Sequence, residues 1–296
     1  FKDEIKQSFS NDEIFDIFQD NKRLLLFLFK EKILNMDKSI YSIMINEKYM
    51  NKNYPQFFSI EINQFNQEKS EVKPLPEELE KKREIGENDS LICELIRNDS
   101  IESFIVYVKQ NSISLSSEIN HSIFETNSFL IKNKKSSLIE YAAFYGSIQI
   151  FNYLRSNKIE LSPSLWLYSI HSDNAELIQI LEDNHVVPVD KTYQKCLKES
   201  IKCHHNNVSN YIKLNLLDNE SEKKNLKSNF KENILADSFH YYNFLFLEPQ
   251  LIHRFTFYYA CKYGYFILVT LFLKLEGIEI NSKVIFNLFF FFNQVF

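Results

Sequence analysis

Apolar residues recur along most of this chain at spacings of three and four, which is the period of an amphipathic helix. The clearest examples are short blocks that open with a turn-forming residue and continue with one apolar side. Six such blocks occur: DSIESFIVY from Asp99, GSIQIFNYL from Gly146, DNAELIQIL from Asp173, HHNNVSNYI from His204, DSFHYYNFL from Asp237 and GYFILVTLF from Gly264. Apart from a longer first gap, successive blocks start roughly 30 residues apart, a period typical of repeat proteins.

Within each block, the residues four, seven and eight positions after the turn residue are mostly apolar. After Gly146 these residues are Ile150, Tyr153 and Leu154, and their spacing places them on one helical face. The residue six positions after the turn residue is mostly polar, as Asn152 is, so we expect it on the solvent-facing side of the helix. Each block therefore predicts the second helix of a repeat.

A further apolar segment precedes most blocks, as in SLIEYAAFY from Ser137 and FTFYYACKY from Phe255. Small residues often stand four and three positions before the turn residue, as Ala142 and Ala143 do, and they allow neighbouring helices to approach closely. Gly146 stands where a helix must end and the chain must reverse, a conformation that glycine adopts without strain. The predicted unit is helix, tight turn, helix and loop, and the predicted fold class is all-α.

The stretch SLIEYAAFYGSIQIFNYLRSNKIEL resembles an ankyrin repeat. It matches the family's pattern of a threonine, an alanine pair, a glycine and two aliphatic residues at Ser137, Ala142, Ala143, Gly146, Ile150 and Phe151. The family's proline and histidine have no counterpart, and the remaining copies are more degenerate. The resemblance extends over residues 87–281, and it is closest to the ankyrin-like families that are expanded in parasitic protists. It implies an ankyrin-like solenoid of six degenerate, stacked helix-turn-helix repeats.

The segment before the repeats follows a different pattern. SNDEIFDIFQ begins with a capping box at Ser10 and Glu13, and the helical spacing continues to about Ile33. Another helix is predicted after Asp37, followed by a polar linker and a charged, exposed helix. Since repeat arrays need atypical end units, we expect residues 1–84 to be a helical N-terminal cap or accessory region.

Two other stretches depart from the repeat period. The long first gap, between Asp99 and Gly146, predicts a loop with one short helix. Residues 282–296 form an apolar tail whose run VIFNLFFFFNQVF is shorter than the roughly 20 residues that a membrane span needs. We interpret the tail as the start of a truncated or altered repeat. The alternative is a membrane-facing segment.

Composition narrows the classes of function. The net charge of −5 offers no global positive field for nucleic acid. Four scattered cysteines favour an intracellular, cytoplasmic protein over a secreted disulfide framework. Only four glycines are present, and no phosphate loop, nucleophile elbow or H-E-x-x-H motif occurs. The sequence therefore predicts no catalysis, no cofactor and no membrane or nucleic-acid partner.

The stretch CLKESIKCHH is the strongest candidate for metal or catalytic chemistry. Cys196 and Cys203 can share one helical face, whereas His204 and His205 fall at the turn. Zinc needs four ligands that converge on one point, usually from closer spacings. Buried thiols and turn histidines, without a metal, are therefore the favoured interpretation. An enzyme or metal-binding protein with a site near Cys203–His205 is the alternative.

The function favoured by the sequence is a non-catalytic scaffold that binds a protein partner. In ankyrin repeats the two positions before the turn glycine project toward the concave surface, so the resemblance implies partner contacts there. These positions hold Arg97, Asn98, Phe144, Tyr145, His171, Ser172, Lys202, Cys203, Lys262 and Tyr263. Their mixture of aromatic and cationic side chains suits a protein interface. Two alternatives stay open: Phe144 and Tyr145 pack against the neighbouring repeat, or the chain is a membrane adaptor that acts through its aromatic tail.

Overall fold

The computed structural model describes residues 2–46, 53–66, 77–133, 135–217, 226–246 and 254–274. Over these ranges the chain is mostly helical, with 19 α-helices and no β-strand. One isolated antiparallel bridge joins Glu118 to Ser137. The predicted all-α class is thereby confirmed. The chain divides into two compact units, residues 1–141 and 142–296.

The first unit is built from short helices. They are α1 (Lys2–Ser8), α2 (Asn11–Phe18), α3 (Lys22–Lys30), α4 (Lys38–Met44), α5 (Tyr54–Phe57), α6 (Ser59–Asn66), α7 (Glu77–Ile85), α8 (Leu91–Arg97), α9 (Ile101–Gln110), α10 (Ser128–Lys132) and the start of α11 (Leu138–Tyr145). The helix predicted after Asp37 is confirmed as α4, and the short helix predicted in the long first gap is confirmed as α10. The helix pair α8 and α9 is the first predicted repeat.

The capping box predicted at Ser10 and Glu13 is confirmed. The Ser10 hydroxyl accepts a hydrogen bond from the Glu13 backbone N–H, and the Glu13 carboxylate accepts one from the Ser10 N–H. The prediction that this helix continues to Ile33 is wrong. Asn21 adopts an extended backbone and its side chain caps the N–H of Leu24, so the apolar run forms two helices, α2 and α3.

The N-terminal helices of this unit share an apolar core, in which Phe15, Leu25 and Phe57 are fully buried. Phe124, from the loop between α9 and α10, is buried in the same core. The ammonium group of Lys22 donates hydrogen bonds to two backbone carbonyls of that loop, at 3.2 and 3.4 Å. The long insertion after the first repeat is therefore packed against the N-terminal segment.

The second unit consists of helix pairs joined by tight turns. Its elements are the end of α11, α12 (Ile148–Ser156), α13 (Leu165–His171), α14 (Ala175–Asp183), α15 (Gln194–Lys202), α16 (Asn206–Tyr211), a π-helix (Ile212–Leu217), α17 (Leu226–His240), a 3₁₀-helix (Phe244–Phe246), α18 (Arg254–Lys262) and α19 (Phe266–Leu273). The first helices of successive pairs contact one another: α13 packs on α15, α15 on α17, and α17 on α18. The predicted apolar tail lies outside the described residues.

The six helix pairs share one turn geometry. Each turn residue has a left-handed backbone, with φ between 46° and 72°, and its N–H donates to the carbonyl three residues earlier. In five turns the next N–H also donates to the carbonyl four residues before the turn residue, at 2.9 to 3.0 Å. This pair of backbone hydrogen bonds is a common way to end a helix. The turn residues are Asp99, Gly146, Asp173, His204, Tyr242 and Gly264.

The fifth turn corrects the predicted register. The turn residue is Tyr242 rather than Asp237, which lies inside α17. Asn243 is buried, and its side-chain amide donates to a backbone carbonyl of α15 at 3.0 Å, which fixes the turn at this point. In the corrected register, Ser238 and Phe239 occupy the small-residue positions, and both are fully buried.

The predicted close-packed positions are confirmed. Side chains at these positions in the other helix pairs of the second unit are at most 2% exposed: Ala142, Ala143, Ser169, Ile170, Ser200, Ile201, Ala260 and Cys261. The predicted apolar face of the second helices is confirmed at positions four and eight of three helix pairs, where Ile150, Leu154, Leu177, Leu181, Val208 and Ile212 are buried. Position seven varies: it is buried at Ile180, half-buried at Tyr153, and exposed at Val106, Tyr211 and Leu271. At 100° per residue, position seven lies outside the arc that positions four, five and eight cover, so its burial depends on the neighbouring helices.

Candidate functional site

The five turns of the second unit each place two side chains at the end of a first helix, and we call these ten residues the turn row. They are Phe144, Tyr145, His171, Ser172, Lys202, Cys203, His240, Tyr241, Lys262 and Tyr263. His240 and Tyr241 are absent from the positions predicted from the sequence, because the sequence pattern places the fifth turn at Asp237. The signal that identifies them is Ser238, which continues the column of small residues.

In the first unit, the corresponding pair is Arg97 and Asn98, and the two residues differ. The Arg97 guanidinium donates to the Asn88 carbonyl at 2.7 Å and to the Tyr141 hydroxyl at 3.0 Å, and it pairs with Glu87 at 2.8 Å. Its side chain is only 13% exposed. Asn98 is exposed. The donors of Arg97 are therefore engaged within the unit, which leaves Asn98 as the more accessible of the two.

Side chains in the first half of the turn row contact one another across neighbouring helix pairs. The Phe144 ring stacks on the His171 imidazole, with 4.8 Å between ring centroids and 29° between ring planes. Phe144 also meets Tyr145 edge to face at 5.0 Å. Phe144 is buried and packs against His171 of the next helix pair, in line with the alternative interpretation, whereas Tyr145 is half-buried. Ser172 donates its hydroxyl proton to a carbonyl of its own helix at 2.8 Å.

Glu199, on α15, joins two residues of the row. Its Oε1 lies 3.1 Å from Nε2 of His171 and 2.6 Å from Nζ of Lys202. Burial raises the pKa of Glu199, but the hydrogen bonds from His171 and Lys202 outweigh this effect and hold the pKa at about 2. The carboxylate therefore stays ionised at neutral pH.

Cys203 completes this group of side chains. Its Sγ lies 3.5 Å from Nδ1 of His171, so the imidazole stands between the thiol and the Glu199 carboxylate. Burial and, next, the charge of Glu199 raise the pKa of Cys203 to about 11. The residue also caps the C-terminal end of α15, where helix carbonyls disfavour a negative charge.

The order Cys203, His171, Glu199 matches that of a nucleophile, a base and an orienting acid. The electrostatics oppose that role, however. Reactive cysteines have a lowered thiol pKa and stand at helix N-termini or beside cations. Cys203 has a raised pKa and stands at a helix C-terminus beside a carboxylate. The arrangement is therefore poorly suited to covalent catalysis.

The four residues of the CLKESIKCHH stretch do not converge. His204 donates from Nε2 to a backbone carbonyl at 2.9 Å, and His205 donates from Nδ1 to another carbonyl at 2.6 Å. Cys196 is fully buried, and burial raises the pKa of its thiol far above the usual range. Among the residues that the structure describes, a different group brings its potential metal ligands within 4.8 Å of one another, namely His171, Glu199 and Cys203.

The second half of the turn row is aromatic and cationic. The His240 ring lies 5.2 Å from the Tyr263 ring, and the Lys262 ammonium lies 5.4 Å from the centroid of Tyr263. His240 and Lys262 are exposed, while Tyr241 and Tyr263 are half-buried. These side chains present both charge and ring surface to solvent.

A groove of about 440 Å³ adjoins this half of the row. It lies between α15 and α17, and its lining includes apolar side chains such as Leu197 and Ile234. Lys198 and Asp237 also line it, and they form an ion pair at 2.9 Å. Because Tyr263 lines the groove as well, the groove is continuous with the turn row.

No helix in the described part of the chain is both long and apolar enough to span a bilayer. The comparisons with known proteins assign no family. No protein-family model matches the chain, and neither a curated protein nor a solved structure shows significant similarity to it.

Proposed function

We propose that this chain is a non-catalytic scaffold of stacked, ankyrin-like helix pairs that binds a protein partner along the turn row. The observation that carries the proposal is the row itself. Five turns of one geometry set ten side chains at equivalent positions, and neighbouring members contact one another at Phe144 with His171 and at His240 with Tyr263. A row held in this way is a preorganised surface, which lowers the cost of ordering side chains on binding.

The chemistry of the row favours a protein as the partner. Tyrosine combines ring area with a hydrogen-bonding group and is among the residues that dominate the energy of many interfaces, and the row contains Tyr145, Tyr241 and Tyr263. The groove beside Tyr263 adds an apolar wall and a charged pair, which suits a partner side chain with an apolar stem and a polar end. The net charge of −5 supports neither a nucleic acid nor an anionic surface as the ligand.

The members of the row have different roles in this proposal. Tyr145, Tyr241, Lys262 and Tyr263 keep accessible surface and contact the partner. Phe144 and His171 are mostly buried and support that surface from below. The corrected fifth turn makes the contact surface continuous, since Tyr241 lies between Lys202 and Lys262 in the order of the turns.

The test is a double substitution, Tyr145→Ala with Tyr263→Ala, in the full chain. The partner is first captured from the cell of origin, and its affinity for parent and variant is then measured by calorimetry. We expect a loss of at least about 1 kcal/mol, which is roughly fivefold. Tyr211→Ala, on a second helix away from the row, is the matched control and should bind as the parent does. Binding of the double variant within twofold of the parent, with its helical content unchanged, would place the interface elsewhere.

A further inference from the structure

We propose that His171, Glu199 and Cys203 form a site for a thiophilic divalent cation, with Zn²⁺ as the best match. In the sequence, Cys196, Cys203, His204 and His205 were the candidate ligands, and no metal was predicted there. The structure leaves only Cys203 of that set in the group and adds two residues from adjacent first helices, α13 and α15. The site would therefore join two neighbouring repeats.

The distances are close to those of a tetrahedral site. Zinc bonds of about 2.0 to 2.3 Å place neighbouring ligand atoms roughly 3.3 to 3.8 Å apart. Nδ1 of His171 and Sγ of Cys203 are 3.5 Å apart, and the three ligand atoms of the group lie within 4.8 Å of one another. Glu199 contacts Nε2 in the structure, so its flexible carboxylate must turn toward Nδ1 and Sγ to complete the set.

Local structure holds the ligands in place. Glu199 and Cys203 are one helical turn apart on α15, so their side chains share a face. The Phe144 ring stacks on the imidazole and fixes its plane. The side chains of His171 and Glu199 are 11% and 17% exposed, so water can reach the group and fill a fourth position.

The donor set and its charge select the ion. A thiolate and an imidazole favour zinc over calcium or magnesium, which prefer oxygen ligands throughout. The Cys203 thiol releases its proton to solvent on binding, so one thiolate and one carboxylate balance the two positive charges of the ion. No redox step or further co-reactant is involved.

Lys202 competes with the cation for the Glu199 carboxylate. Its ammonium is bound to the same Glu199 oxygen at 2.6 Å, and its side chain is 33% exposed. An entering cation repels this ammonium, which can swing into solvent. Substituting Lys202 by an uncharged residue should therefore strengthen metal binding, because it frees the Glu199 oxygen.

Co²⁺ is a suitable probe, because tetrahedral coordination with a thiolate gives intense visible bands and a near-ultraviolet charge-transfer band. We expect one equivalent of Co²⁺ to produce both features in the full reduced chain, and Zn²⁺ to displace it. Cys203→Ser should abolish the charge-transfer band. His171→Gln and Glu199→Gln should each weaken binding at least tenfold, and Lys202→Met should tighten it at least threefold.

Cys261→Ser and His204→Gln are the matched controls, since they remove the same residue types outside the group, and both should bind Co²⁺ as the parent does. Circular dichroism verifies the fold of each variant. The proposal is overturned if the parent shows no charge-transfer band, if Cys203→Ser retains it, or if Lys202→Met fails to raise the affinity. The Lys202 variant alters a partly exposed side chain, so the test does not depend on the stability of a core variant.

Discussion

Two valines of α9 offer a sensitive test of how the second helices pack. Val108 is 6% exposed, whereas Val106, two residues earlier, is 52% exposed. The apolar columns read from the sequence placed Val106 on the buried face, and the structure places it outside. Replacing each valine by alanine makes the same chemical change at the two positions, so the difference in stability measures burial alone.

The expected magnitude follows from the two environments. Valine to alanine removes two carbons, worth about 1.6 kcal/mol of transfer free energy when fully buried, and the cavity left behind adds up to about 1 kcal/mol. The better helix propensity of alanine returns a few tenths of a kcal/mol. Val108→Ala should therefore lower the free energy of unfolding by about 2 kcal/mol. Val106→Ala should change it by less than about 0.5 kcal/mol.

Urea denaturation followed by far-ultraviolet circular dichroism measures both values. Trp166 is fully buried in the second unit, so its fluorescence identifies the transition of that unit and, by difference, the transition of the first. We expect only the Val108 variant to shift the transition of the first unit. Equal shifts, or a larger shift for Val106→Ala, would refute the helical face assigned to α9.

Further predictions concern the turns and the His171 group. Gly146→Ala should lower the free energy of unfolding by about 1 to 2 kcal/mol, because φ is 71° and the added Cβ would lie 3.2 Å from a neighbouring side chain. Asp173→Gly should instead raise the urea midpoint, because glycine adopts the φ of 52° at this position without strain. The pKa of Glu199 is about 2 in the folded chain and 4.5 when unperturbed, so its stabilisation is complete above pH 4.5 and is lost as the pH falls toward 2. Glu199→Gln should therefore lower the free energy of unfolding by about 2 to 3 kcal/mol at pH 7. Denaturation curves should show the difference in stability between parent and variant decreasing as the pH falls from 4.5 toward 2.

Local signals made much of the fold predictable. The capping box at Ser10 uses atoms only three residues apart, and the glycine at position 146 reports a backbone conformation that other residues adopt at a cost. The small residues before each turn likewise follow from the need of neighbouring helices to approach closely. Such features depend on a few neighbouring residues, so the sequence displays them directly.

The error in the fifth turn arose where a tertiary contact decides between equal local patterns. DSFHYYNFL has helical spacing whether its turn is placed at Asp237 or at Tyr242. The choice is made by the buried amide of Asn243, which binds a carbonyl of α15 contributed by residue 201. The break between α2 and α3 has a different cause. The Asn21 side chain caps the N–H of Leu24, and this local signal was outweighed in the sequence prediction by the continuous apolar spacing.

The His171 group was not predictable from the chain for a similar reason. Its residues are 28 and 32 positions apart in sequence and meet only because α13 and α15 pack together. Glu199 lies within CLKESIKCHH, but a single glutamate among lysines on a helix is typical of a solvated face. His204 and His205 were the more obvious ligand candidates in the sequence, but both donate hydrogen bonds to backbone carbonyls in the structure.

Our proposal places the partner on the turn row, and site-specific photocrosslinking tests that placement most directly. A photoreactive phenylalanine analogue replaces Tyr145 in one variant and Gln179, an exposed residue of α14, in the other. Each variant is irradiated with the purified partner. We predict a crosslinked product from position 145 that an excess of unlabelled parent chain suppresses, and none from position 179. Equal crosslinking from both positions, or crosslinking from position 179 alone, would contradict the account.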